Sequence, residues 1–232
     1  MILVLVVRGK SIRIVMVNNL EKYIDHTALG FNTSIQVVKN ICLEAMEYNF
    51  KAVCVPPIYV EVCKTFLNDT PVKVATVIGF PMGYSSTRVK CLEAQEALIA
   101  GADELDMVIN NCYVANEDWD AVLQDILSVQ SICHDYNAVL KVIIESGNIE
   151  LNKIERLSEI CNNLKVDFVK TSTGIIGQGA TIEAVKAIRK IVSSQVEIKA
   201  SGGIRTKEQV ESFINAGATR IGSSASVKIV KE

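Results

Sequence analysis

The sequence is short of the residues from which several functions are built. Its 232 residues include two histidines, His26 and His134, one tryptophan and four prolines, and aromatics make up 6%. Neither histidine stands beside cysteines or carboxylates in a ligand cluster, so a zinc site lacks its donors. The seven cysteines, at 42, 54, 63, 91, 112, 133 and 161, are odd in number and form no C-x-x-C pair. They read as reduced thiols of a cytoplasmic protein rather than a disulfide framework. Neither sign of charge dominates: 24 lysines and arginines meet 26 aspartates and glutamates. That balance excludes a nucleic-acid binder driven by bulk electrostatics. The apolar run at the start, Met1 to Val7, is too short to span a bilayer. No basic segment precedes it and no small-residue cleavage site follows, so it does not read as a secretory signal.

What is present is a large apolar fraction, 49%, with 22% charged residues. This composition supports a compact globular chain with a sizeable core. Residues 1–17 read as an N-terminal extension, with an extra strand pair as the alternative, and residues 18–232 as one domain. From Tyr23 onward, short β-branched runs alternate with ten to fifteen residues of helical spacing. Strands are expected at Tyr23–Thr27, Ala52–Val55, Lys73–Gly79, Glu104–Asn110, Leu140–Glu145, Asp167–Ser172, Val196–Ala200 and Thr219–Gly222. Ser34 is placed to cap a helix whose apolar face is Ile35, Val38, Ile41, Cys42 and Ala45. Ser85–Ala100 is expected to bury Val89, Leu92, Ala97 and Ala100, and Thr206–Ala216 to bury Val210, Phe213 and Ile214; each stops at a glycine. Eight strand–helix units in this length favour a closed parallel (β/α)₈ TIM barrel. The dinucleotide-binding alternative lacks its G-x-G-x-x-G after the first strand.

In such barrels, reactive groups gather at the C-terminal ends of strands. The polar residues there are Asp25, Cys54, Asp106, Asn110, Lys141, Glu145, Lys170, Thr171, Ser172 and Lys199. Three lysines inside buried strands are unusual, because an unpaired ammonium is costly to desolvate. Lys170 and Lys199 fall on neighbouring strands. An amine attacks a carbonyl only when neutral, and a free lysine titrates near 10.4. Making it a nucleophile near neutrality requires destabilising the charged form by about 4 kcal/mol, which burial and a second ammonium supply. Asp106 could then move protons between the stages of imine chemistry. The plain alternative for each lysine is a strand-end ammonium that reaches water or pairs with Glu145 or Asp106. Cys54 reads more simply as a small apolar filler than as a reactive thiol. Ser201-Gly202-Gly203 and Gly222-Ser223-Ser224 follow the seventh and eighth strands, and Thr173-Gly174 follows the sixth. Small residues let backbone N–H groups close around an anion, and the loops after strands seven and eight are the usual phosphate site of this fold. Together these features point to a phosphorylated carbonyl compound processed through an imine.

Seven ordered segments carry a family resemblance. They are Tyr23-Ile-Asp-His-Thr-Ala-Leu29, Ala52-Val-Cys-Val-Pro-Pro57, Val74-Ala-Thr-Val-Ile-Gly-Phe-Pro-Met-Gly83, Gly101-Ala-Asp-Glu-Leu-Asp-Met-Val-Ile-Asn110, Leu140-Lys-Val-Ile-Ile-Glu145, Asp167-Phe-Val-Lys-Thr-Ser-Thr-Gly174 and Lys199-Ala-Ser-Gly-Gly-Ile-Arg-Thr206. From about residue 20 onward the chain resembles the deoxyribose-phosphate aldolase family. The resemblance implies a class I aldolase that cleaves 2-deoxy-D-ribose 5-phosphate reversibly to D-glyceraldehyde 3-phosphate and acetaldehyde. It implies no metal and no organic cofactor, a homodimer, and small-molecule phosphosugar and aldehyde substrates, with no nucleic-acid or membrane partner. By the same resemblance Lys170 is the Schiff-base lysine, Lys199 the second lysine that perturbs it and Asp106 the proton-transfer acid. Asp25, Cys54 and Lys141 match the supporting and substrate-side positions, and Gly174, Gly202, Gly203, Gly222 and Ser224 the phosphate site. Ile175 stands where longer members have a lysine, the tyrosine-bearing tail of those members has no counterpart here, and Asn111-Cys112 departs from small residues. Phosphate affinity is therefore expected to rest on backbone N–H groups and Arg205. A transaldolase-like transfer, a metal-dependent epimerase and a non-catalytic phosphosugar-binding barrel are the competing readings. The epimerase lacks histidine ligands, and the binding barrel has no need of the lysine pair and Asp106.

Overall fold

The computed structural model describes residues 2–7, 10–15 and 19–232. Ile2–Val7 pairs antiparallel with Lys10–Val15 as a two-stranded sheet separate from the barrel sheet, so a strand pair lies within the segment read as an extension. The barrel itself is a closed ring of eight strands. They are β1 (Ile24–Thr27), β2 (Ala52–Val55), β3 (Lys73–Ile78), β4 (Glu104–Val108), β5 (Val139–Ile143), β6 (Phe168–Lys170), β7 (Glu197–Ser201) and β8 (Arg220–Ser223). Each pairs in parallel with its sequence neighbours, and β8 closes onto β1. The expected (β/α)₈ TIM barrel is borne out. Several strands end one to two residues early. Asn110, for example, leaves the fourth strand because its Oδ1 accepts the Cys112 N–H at 3.1 Å and caps a helix.

The helices are α1 (Ile35–Tyr48), α2 (Val60–Phe66), α3 (Thr87–Ile99), α4 (Asn111–Ala115), α5 (Trp119–Asp135), α6 (Leu151–Leu164), α7 (Ile182–Ile191), α8 (Lys207–Ala216) and α9 (Ser226–Lys231). Ser34 caps α1 as expected, and Thr206 and Gln209 form a capping box on α8. Two apolar faces differ from expectation. On α1, Ile35 is exposed while Val38, Ile41, Cys42 and Ala45 are buried. On α3, Val89 and Leu92 face solvent, and the buried stripe runs through Lys90, Ala94, Ala97 and Leu98. The reason is Lys90. Its ammonium meets Asp125 of α5 at 2.6 Å and donates to the Val108 carbonyl at 2.9 Å, so a satisfied buried cation sets the face of that helix.

The apolar core lies mostly between the sheet and the helices, with Ile24, Val53, Val74, Leu105, Met107, Leu140, Val142, Val169 and Ile198 facing outward onto it. Alternation along each strand then sends Asp25, Cys54, Ala75, Glu104, Asp106, Lys141, Phe168, Lys170, Lys199 and Arg220 toward the barrel axis. A (β/α)₈ interior is ordinarily filled by layers of branched apolar side chains. Here charge replaces them. Among the described residues no helix is long and apolar enough to cross a membrane.

Candidate active site

Register brings the charged residues together. Asp106 lies beside Lys141, Lys170 beside Lys199, and Lys199 beside Arg220 on paired strands. Across the interior they form a closed ring in which acid and base alternate. Asp106 meets Lys141 at 2.7 Å, Lys141 meets Glu104 at 2.6 Å, and Glu104 meets Arg220 at 3.0 Å. Arg220 meets Asp25 at 2.7 Å, Asp25 meets Lys199 at 2.5 Å, and Lys199 returns to Asp106 at 2.7 Å. Strands β4 and β8 lie opposite one another, so the Arg220–Glu104 contact runs through the centre of the barrel. Lys170 hangs from this ring by one contact, 2.7 Å to the same Asp106 Oδ2 that holds Lys199. All seven side chains are buried.

The two lysines of the sixth and seventh strands therefore differ in surroundings. Burial pushes Lys199 toward neutrality, but Asp106 and Asp25 outweigh it and hold the ammonium well above the usual lysine range. Lys141 is likewise held up, because Asp106 and Glu104 overcome its burial. For Lys170 burial wins over the single carboxylate, and the Lys199 charge adds to it, so its pKa falls below that of a free lysine. Asp106 is driven up by burial, yet Lys141, Lys170 and Lys199 hold it ionised far below the carboxylate range. The pairing alternative holds in part: all three lysines contact Asp106, while Glu145 instead accepts the Thr173 N–H at 3.1 Å. Cys54 is buried beside Ala75 and Val77, and burial together with the Asp106 charge lifts its thiol to about 11, which fits the inert-filler reading.

A cavity of about 630 Å³ opens above the cluster. Lys170 alone of the seven charged residues lines it, so that amine is the group presented to a ligand while the others stand behind it. Asp25, Cys54, Lys141, Lys199 and Asp106 are placed beneath the floor. The wall brings together all five glycine and serine positions expected for phosphate: Gly174, Gly202, Gly203, Gly222 and Ser224. Among the described residues the amide N–H groups of Gly202, Gly203 and Ser224 have no intramolecular acceptor. Gly202 has φ +93, and a Cβ there would lie 2.8 Å from the Gly179 Cα, so both conformation and space demand glycine. Arg205 and Ile175 share the wall.

Sequence reasoning missed Glu104 and Arg220. Strand parity could have found them, since Glu104 sits two before Asp106 and Arg220 two before Gly222. It placed Ser201 in an anion loop but gave no role to its buried hydroxyl, which has no hydrogen-bond partner among the described residues, and it missed His26. His26 points out of the barrel. Its Nε2 meets Glu44 of α1 at 2.6 Å and its Nδ1 meets the Ser226 hydroxyl at 3.0 Å. That hydroxyl donates to the Ser223 carbonyl at 2.9 Å, tying the loop after β8 to α1 and α9.

The fold thus sets one buried amine in the wall of a glycine-rich cavity of the barrel. Residues 20–226 match the model described as "DeoC/LacD family aldolase". The chain is 47% identical over 212 residues to the deoxyribose-phosphate aldolase of Mannheimia succiniciproducens, covering 91% of this chain and 94% of that one. It is 45% identical over 215 residues to that of Thermococcus gammatolerans, covering 92% and 96%. The structure of the tetrameric deoxyribose phosphate aldolase from Aeropyrum pernix matches with a TM-score of 0.85 at 32% identity, covering 91% of this chain and 89% of that one. The chain belongs to the DeoC/LacD family of aldolases.

Proposed function

We propose that this enzyme reversibly cleaves 2-deoxy-D-ribose 5-phosphate to D-glyceraldehyde 3-phosphate and acetaldehyde, through an imine on Lys170. The observation that carries this reading is that Lys170 is both the amine driven toward neutrality and the one that reaches the cavity. Its Nζ attacks C1 of the open-chain sugar, and loss of water gives an iminium. A base takes the C3 hydroxyl proton, the C2–C3 bond breaks, and its electrons pass into the iminium as an enamine. Glyceraldehyde 3-phosphate leaves, C2 takes a proton, and water releases acetaldehyde and the free amine.

In the resting site Asp106 is a carboxylate, so it begins as an acceptor rather than an acid. Its Oδ2 lies 2.7 Å from both Lys170 and Lys199, placing it to pass a proton between them and the carbinolamine. The phosphate belongs on the N–H groups of Gly202, Gly203 and Ser224 in the same cavity, with Arg205 in place of the missing lysine. A homodimer acting in the cytoplasm is part of the same proposal; the seven free cysteines support a reducing compartment.

Borohydride trapping tests it. Protein incubated with acetaldehyde, and separately with deoxyribose 5-phosphate, is reduced and mapped by mass spectrometry. A two-carbon adduct on Lys170 from both is the expected result. No adduct in folded protein would reject the imine. A transaldolase-like enzyme would not be trapped by acetaldehyde, since it requires a ketose donor.

The phosphate wall gives a second expectation. Gly202→Ala imposes backbone strain of about 1–3 kcal/mol on that loop. That loop carries the proposed phosphate N–H groups, so the KM for deoxyribose 5-phosphate should rise about tenfold to a hundredfold. Steady-state kinetics with unphosphorylated deoxyribose should change little.

A further inference from the structure

Two members of the charged ring, Glu104 and Arg220, neither line the cavity nor contact Lys170. We propose that they are positioning residues: they close a charge-balanced ring of three carboxylates and three cations, which leaves Lys170 as the surplus cation that gives up its proton. This rests on the reading of Lys170 as the imine-forming amine.

Each ring cation lies between two carboxylates and each ring carboxylate between two cations. Lys170 has one contact, to an oxygen already shared with Lys199. A buried charge without its counter-charge is disfavoured, so the proton that leaves is the one whose loss makes the cluster neutral. Arg220 does not deprotonate, which makes it a fixed counter-charge. It is also held in place: its guanidinium lies 5.2 Å from the centre of the Phe168 ring, on the strand that ends at Lys170. The other titratable groups around Lys170 are Cys54 on β2 and Glu145 after β5, and His26, Glu44 and Arg205 line the same cavity. None of the five forms an ion pair with Lys170 among the described residues. All five stay constant across the variants below, so they offset every midpoint alike.

The test is the pH dependence of acetaldehyde trapping on Lys170, which follows the fraction of neutral amine. Glu104→Gln removes a negative charge, so the midpoint should fall. Arg220→Met removes a positive charge, so the midpoint should rise. Each shift should be about one pH unit, the effect of a unit charge across roughly 10 Å at an effective dielectric of about 20. The double variant Glu104→Gln/Arg220→Met restores neutrality and should return the midpoint to the wild-type value, and Arg220→Lys should not move it. General structural damage has no reason to give opposite shifts that cancel. Single variants that move the same way, or not at all, or a double variant that stays displaced, would overturn the proposal. Wild-type protein that traps no adduct would instead reject the role of Lys170. If a single variant does not fold by circular dichroism, the double variant decides: it should fold with the wild-type midpoint, and a double variant less stable than the single would overturn the charge-balance argument.

Discussion

Lys170→Ala is expected to lose turnover of deoxyribose 5-phosphate by at least about 10⁴-fold, the scale seen when a covalent nucleophile is removed. The borohydride adduct should vanish with it. Folding should not suffer. The ring of Asp25, Glu104, Asp106, Lys141, Lys199 and Arg220 keeps every contact when Lys170 is removed. The melting temperature should therefore match or exceed that of wild type near neutral pH. This separates loss of chemistry from loss of structure. Wild-type-like activity in this variant would end the assignment of Lys170.

Lys199→Leu should have the second-largest effect, by a different route. The substitution removes the cation that Asp25 and Asp106 share. Three carboxylates then face two ring cations, and the Lys170 ammonium becomes the counter-charge for Asp106. Its pKa rises instead of falling. As it returns toward the range of a free lysine, the neutral fraction at pH 7 drops by about tenfold for each unit of the rise, and the trapping rate with it. The sign follows from the reacting form: attack needs the neutral amine, so the rate of the variant should climb with pH, recovering toward pH 10. The variant should also lose about 3–5 kcal/mol of stability, because two buried carboxylates lose a partner. Trapping rates between pH 6 and 10, with a denaturant melt at each end, check both statements. A variant as fast as wild type at pH 7 would show that Lys199 does not govern the amine.

The anomaly that exposed the site was local. A lysine in a buried strand needs a reason, and Lys141, Lys170 and Lys199 each carried that signal at their own positions. Asp106 carried it too, as an acid within an apolar run. The glycine wall proposed for phosphate was legible because Gly202, Gly203 and Gly222 end or follow strands whose ends meet in this fold. By contrast, Glu104 and Arg220 each begin a strand, where a charge ordinarily meets solvent. Only strand parity marks them, Glu104 lying two before Asp106 and Arg220 two before Gly222, and parity does not say which strand-start charges are buried. The same limitation misplaced the face of α3: Lys90 reads as a solvent-side residue until Asp125, on another helix, is seen to hold it.

Alternation of apolar runs and helical stretches determined the barrel from the sequence alone, because parallel strands with intervening helices have few ways to close. Residue chemistry determined the amine, the carboxylate and the small-residue loops. Which lysine suits the proposed imine, on physical grounds, is read only from the tertiary structure. Lys170 and Lys199 are both strand lysines among acids, and their sequences do not separate them by electrostatics. Closure of the barrel does: it places Lys199 between Asp25 and Asp106 and gives Lys170 a share of one oxygen and an opening to the cavity. Protonation depends on the sum of charges within a few ångströms, and those charges come from six different strands.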